Sequence, residues 1–192
     1  MLLKTLVPLG IVIAFHRQRG WGWTRAGLAW PESPVPILML GAAVGSLQWL
    51  LESVTVRPLG QLLFNQPKNL EVFEPIRDDL GMLLLYLAFM WMLAAVAEEV
   101  IWRGFVMREL AAILGQGRRG WLLALALSSV LFGILHYYQG PEGMLQTTFG
   151  GLVLGGLFLA GGGRSLWLPI LVHGFYNTVS FVLIYLGRYP GL

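Results

Sequence analysis

The amino-acid sequence predicts an all-α fold: a polytopic membrane bundle of about six transmembrane helices around an intramembrane cavity. Three observations predict it. Charged residues make up 12% of the 192 residues and hydrophobic ones 56%, with a mean hydropathy of +0.68, whereas a soluble domain carries about 25% charged residues. The apolar residues gather in runs close to the roughly 20 residues that cross a bilayer, joined by short turns. One run then carries charges where lipid belongs: from Leu80 to Ala97 there is none, and Glu98, Glu99 and Arg103 come next. An ionisable side chain at the bilayer centre costs at least about 2.5–3.5 kcal/mol, so three together imply a cavity and a function.

Residues 1–15 are a short apolar run with one lysine, ending in His16-Arg17-Gln18-Arg19 without a small-x-small cleavage site. A short first span or re-entrant anchor fits this better than a signal peptide. Trp21, Trp23 and Trp30 fall in the next loop, the placement expected at a membrane interface. A second span covers Pro36 to Leu51, where Gly41 and Gly45 have the spacing that lets another helix approach closely. The segment from Glu52 to Asp79 holds five acids and three bases. The apolar residues between them suggest a loop or helix lying on the membrane surface, or a solvated connector. The third span runs from Leu80 to about Met107 and the fourth from Trp121 to about Tyr138. After a break at Gln139-Gly-Pro-Glu-Gly143 the fifth covers Met144 to Ala160, and the sixth Ser165 to Leu186. Nothing repeats and no low-complexity linker divides the chain, so residues 1–192 read as one membrane-embedded domain. Arginines concentrate in the turns after the first, third and fifth spans, which puts both termini outside.

Composition removes several functions. Without cysteine there is no disulfide, iron–sulfur cluster, thiolate metal site or cysteine nucleophile. The net charge of +3 is scattered through loops, so nucleic acid is not an expected partner and the lipid bilayer is.

At 100° per residue, Glu99 and Arg103 share a helix face and can pair, while Glu98 is turned away from them. With a rise of 1.5 Å per residue, Glu98 lies about 15–18 Å from the inner end of its span, and His136 roughly 22 Å in. His173 and Asn177 lie about 12 and 18 Å in, so groups from three helices reach similar depths. His173 and Asn177, four apart, share one helix face, as do Phe132 and His136. A carboxylate in a low-dielectric cavity can act as a general base on water, and imidazole can share the proton. Imidazole and amide N–H groups can hold an oxyanion. Taken singly, each of these residues also suits an ordinary packing role, a buried histidine or an asparagine between helices.

The series Glu98-Glu99-x-x-x-Arg103, Phe132-x-x-x-His136 and His173-x-x-x-Asn177 resembles the motifs of the type II CAAX prenyl endopeptidase family. That family is also called the CAAX protease and bacteriocin-processing (CPBP, or Abi) family of intramembrane proteases. The surrounding SSVLFGILH and LPILVHGFYN are similar too, and the resemblance spans about Leu80 to Leu186. It implies that Glu98 activates water with help from His136, that His173 and Asn177 bind the oxyanion, and that Glu99 with Arg103 buttresses the helix, with Phe132 in support. The substrate it implies is a peptide or membrane-associated protein, with lipid modification left open because the chain is shorter than the eukaryotic enzymes. The membrane would be the plasma membrane of a prokaryote. Glu98, His136 and His173 also offer donors for Zn²⁺, although the HExxH pairing of zincins is absent. The rival readings are a proton- or ion-coupled transporter, for which no inverted repeat is visible, and a non-catalytic immunity or scaffold protein.

Overall fold

The computed structural model describes residues 2–20 and 22–190, whose regular structure is entirely helical, with no strand among them. Met1 and Trp21, placed by the sequence in the first run and the interfacial loop, lie outside the described residues. Helix α1 (Leu2–Gln18) contains Pro8 and is succeeded by a turn over Thr24–Leu28. There Gly27 has φ +95°, and its carbonyl accepts from Leu166 N at 2.9 Å, a backbone shape that favours glycine. Helix α2 (Pro34–Val54) continues into α3 (Val56–Phe64) across a break at Thr55. A 3₁₀ turn over Glu71–Ile76 leads to one continuous helical rod from Leu80 to Leu114. Its parts are α4 (Leu80–Phe89), a π-helical stretch (Met90–Glu98), α5 (Glu99–Ile101), a second π turn (Trp102–Val106) and α6 (Met107–Leu114). Helices α7 (Arg118–Ile134), α8 (Gly140–Ala160) and α9 (Trp167–Tyr185) complete the bundle.

Helix α2 lies along α9, α7 packs between α6 and α8, and α3 rests on α8. Met107, Phe158, Leu166, Ile170 and Ile184 fill the centre, while Met39, Leu50, Leu84 and Leu123 face outward. Such an apolar exterior suits lipid, because each helix satisfies its own backbone polar groups.

Small residues set the helix spacing. A Cβ on Gly45 would lie 2.6 Å from the carbonyl oxygen of Val172 and 3.0 Å from Tyr176 N, so α9 would have to move. Gly45→Ala is therefore expected to cost about 1–3 kcal/mol, the usual range for overpacking. The thermal unfolding midpoint should fall, whereas Gly156→Ala, with open space around its Cβ, should leave it unchanged. Equal midpoints for the two variants would remove Gly45 from the interface argument.

Several sequence expectations change. Four helical segments are long and apolar enough to cross a membrane: Pro34–Phe64, Leu80–Leu114, Tyr137–Ala160 and Trp167–Tyr185. Helices α1 and α7 have 17 residues each, or about 25 Å, at the short end for a crossing. The segment from Glu52 to Asp79, expected as a loop or helix on the membrane surface or a solvated connector, is partly buried in the bundle. Helix α3 turns Leu59, Leu62 and Leu63 outward and buries Arg57 and Gly60, while Leu70, Phe73 and Ile76 enter the core. Arg57 donates there to the Tyr189 hydroxyl at 2.9 Å and to the Pro190 carbonyl at 3.0 Å. The fifth helix begins at Gly140, not Met144, with Pro141 in its first turn, where proline's missing N–H is harmless.

Candidate active site

The rod from Leu80 to Leu114 is π-helical on both sides of Glu99. A π turn takes up an extra residue and shifts the facing of the residues beyond it, and such turns recur at functional sites. Both glutamates are turned inward: Glu98 is 8% exposed and Glu99 0%.

Glu99 and Arg103 pair as their spacing predicts, with Arg103 Nη1 donating to Glu99 Oε1 at 2.8 Å. Arg103 Nη2 donates to the Gly151 carbonyl of α8 at 3.0 Å. His173 of α9 brings its Nδ1 within 2.9 Å of the same Glu99 oxygen. The carboxylate therefore joins three helical elements, a wider role than the intrahelical buttress read from the sequence. Phe132 lies against this group, with the Arg103 guanidinium 5.0 Å from its ring centre, a favourable cation–π distance.

His136 does not sit on helix α7, contrary to the unbroken face assumed from the sequence. The helix ends at Ile134, and His136 comes after it with φ −97° and ψ 19°. The cause is local. The Phe132 carbonyl faces the His136 ring Nδ1 at 2.8 Å, and the His136 backbone N–H turns to Gly133 O at 2.9 Å instead. A side chain that takes a helical carbonyl competes with the helix itself. The two rings still meet, with centroids 4.8 Å apart.

These contacts fix proton positions. A carbonyl only accepts, so His136 Nδ1 carries a proton and Nε2 holds the lone pair in the neutral ring. By the same reasoning His173 Nδ1–H donates to the Glu99 carboxylate. Its Nε2 can then donate only when the ring is the imidazolium, a form that makes an ion pair with the adjacent carboxylate.

Glu98, Phe132, His136, His173 and Asn177 all line one cavity of about 520 Å³. Glu99 and Arg103 are not among its lining residues and stand behind that wall. The structure thus brings together the four residues that the sequence places at matched depth. It also lines the cavity with Gln48, Glu52, Lys68, Gln146 and Tyr176, which sequence reasoning missed. The available signal was the i, i+4 pairing of Gln48 with Glu52 at the end of an apolar span. Among the described residues no three of His, Asp and Glu gather into a ligand set for a metal ion.

A family model for type II CAAX prenyl endopeptidases, Rce1-like, matches residues 80–179, just over half of the chain. Comparison with curated proteins and with solved structures finds no match. The matched stretch contains Glu98, Glu99, Arg103, Phe132, His136, His173 and Asn177. With four helical segments fit to cross a bilayer, the chain is an integral membrane protein that belongs to the Rce1-like type II CAAX prenyl endopeptidase family, a family of peptidases.

Proposed function

We propose that this protein is an intramembrane endopeptidase in which Glu98 activates water. The supporting observation is the convergence of Glu98 from the rod, His136 from the turn after α7, and His173 and Asn177 from α9 on a single cavity. Glu98 takes a proton from water as the water oxygen bonds to the scissile carbonyl carbon. The carbonyl oxygen becomes an oxyanion, held by the Asn177 amide and by Nε2–H of a protonated His173. The C–N bond then breaks as the leaving nitrogen takes a proton from Glu98, with His136 Nε2 as the relay. Glu99 accepts from His173 Nδ1 and keeps the ring oriented, much as a carboxylate orients the histidine of a hydrolytic triad.

The whole chain acts as one membrane domain in this reading, with α1 and α7 as the two shorter crossings in a prokaryotic plasma membrane. The substrate is a peptide or membrane-associated protein, and water activation rests on Glu98 and His136 without a metal. The test is a comparison of peptide termini in membranes from cells making the wild-type protein or Glu98→Gln. New termini present only with wild type, and still formed by purified protein after chelation, are the expected result. Identical termini would remove the protease reading, and loss of cleavage on chelation would remove the metal-free one.

A further inference from the structure

A second hollow lies at the other end of α7 from His136. The segments 16–30, 108–120 and 161–166 hold seven arginines and one acid, Glu109, and hydrogen bonds gather them at one end of the bundle. Arg108 donates to the Arg25 carbonyl and, at 3.0 Å, to the Gly163 carbonyl. Leu166 N donates to Gly27 O at 2.9 Å, and the Trp167 indole to Ala29 O at 2.8 Å. None of these cations is a lysine, and arginine is the side chain whose planar fork fits a phosphate. At the same end Trp23 and Trp30 are exposed, and the rings of Trp30 and Trp167 meet edge to face with centroids 4.9 Å apart. Such a gathering of indoles marks the depth of the membrane interface.

Arg118, Trp121, Leu122, Leu159, Gly162 and Gly163 line a groove of about 340 Å³ at the seam where α7 begins and α8 ends. Spacings of three and four put Arg118, Trp121 and Leu122 on one side of α7. Across the seam Gly162 and Gly163 have φ +75° and +68°, so that wall is bare backbone of a shape glycine favours. Leu159 lies one turn deeper on α8. The groove is therefore graded from the end of the bundle inward: a cation, then an indole, then leucines. That is the order in which a lipid presents its phosphate, its glycerol and its acyl chains. Arg118 is exposed, and its guanidinium has no hydrogen-bond or ion-pair partner among the described residues. Arg119 and Arg164, next in sequence to Arg118 and Gly163, are exposed too, so the field over the groove is positive. A soluble anion would leave Leu122 and Leu159 without use, whereas a lipid engages both halves.

We propose that this groove binds one anionic glycerophospholipid, with its phosphate on Arg118 and its acyl chains along Leu122 and Leu159. The distribution of arginine puts this end of the bundle at the cytoplasmic leaflet, whose surface is negative. The groove shares no lining residue with the cavity that holds Glu98, so the proposal does not depend on the endopeptidase reading.

The test is native mass spectrometry of the purified full chain, released from a neutral detergent, with four probes. These are phosphatidylglycerol and phosphatidylcholine with identical acyl chains, glycerol 3-phosphate, and a hexaglutamate peptide. The first phosphatidylglycerol should bind about tenfold more tightly than phosphatidylcholine, the scale of one charge-assisted hydrogen bond. Arg118→Gln should bring the two lipids within about twofold, with phosphatidylcholine binding unchanged as the sign that the variant is folded. Arg119→Gln, whose side chain is not among those lining the groove, should keep the preference. Equal binding of the two lipids to the wild type overturns the proposal. So does a preference that survives Arg118→Gln, which would spread the attraction over the whole basic face. Displacement of phosphatidylglycerol by glycerol 3-phosphate or hexaglutamate at equal concentration would give the groove to a soluble anion or to an acidic segment. A protein dimer in place of the lipid adduct would give it to a second copy of the chain, and each of these results likewise overturns the proposal.

Discussion

Alanine at position 98 is expected to lower peptide cleavage by about 10²–10⁴-fold, the usual share of a general base, with the protein still inserted and folded. The hydrogen bonds that tie α8 and α9 to the rod here are made by Arg103 and His173, and Glu99 is the carboxylate both of them use. Glu98 lines the cavity. Glutamine at the same position sharpens the result, because it keeps size and hydrogen bonding but cannot take a proton from water. Both variants should be recovered as folded, inserted protein and show equally low single-turnover rates. Cleavage by Glu98→Gln within tenfold of wild type would move the base elsewhere in the cavity.

Arg103→Ala should destabilise the fold by about 3–5 kcal/mol, the range for breaking a buried ion pair by removing one partner. Glu99 has no exposure to water and accepts the arginine at 2.8 Å. The loss also frees the Gly151 carbonyl on α8. A second variant separates stability from chemistry. Glu99→Gln combined with Arg103→Met removes both charges, and buried pairs replaced together often recover their stability. Thermal midpoints should largely return in the double variant, while activity should not, because His173 has lost the carboxylate that pairs with its charged form. An unchanged midpoint for Arg103→Ala would show that the pair does not hold the helices, and an active double variant would detach His173 from Glu99.

What could be read from the sequence was what lies within one turn of helix or one apolar run. Glu99 and Arg103 pair because four positions is a local spacing, and the inward setting of Glu98 comes from charges placed inside a long apolar stretch. The convergence on one cavity was accessible through depth alone. His173 beside Glu99 was not, since 74 positions separate them and no periodicity links α9 to the rod. Neither was the end of α7, because LFGILHYY stays apolar past the point where the His136 ring takes the Phe132 carbonyl. The part left unread was the inward setting of Glu52 and Arg57. A run mixing charges with leucines looks solvated or surface-bound, and helix α3 does turn its leucines outward, but Tyr176, Gln48 and Tyr189 draw these two charges inside.

The close seating of α9 against the glycines of α2 has a practical outcome for anyone trimming this protein. A fragment beginning at Leu80 would keep every motif residue, but Val172 and Tyr176 would then lose the surface that Gly45 gives them. The hollow would stand open along one flank to acyl chains. The minimal folded unit is therefore larger than the stretch that carries the motifs.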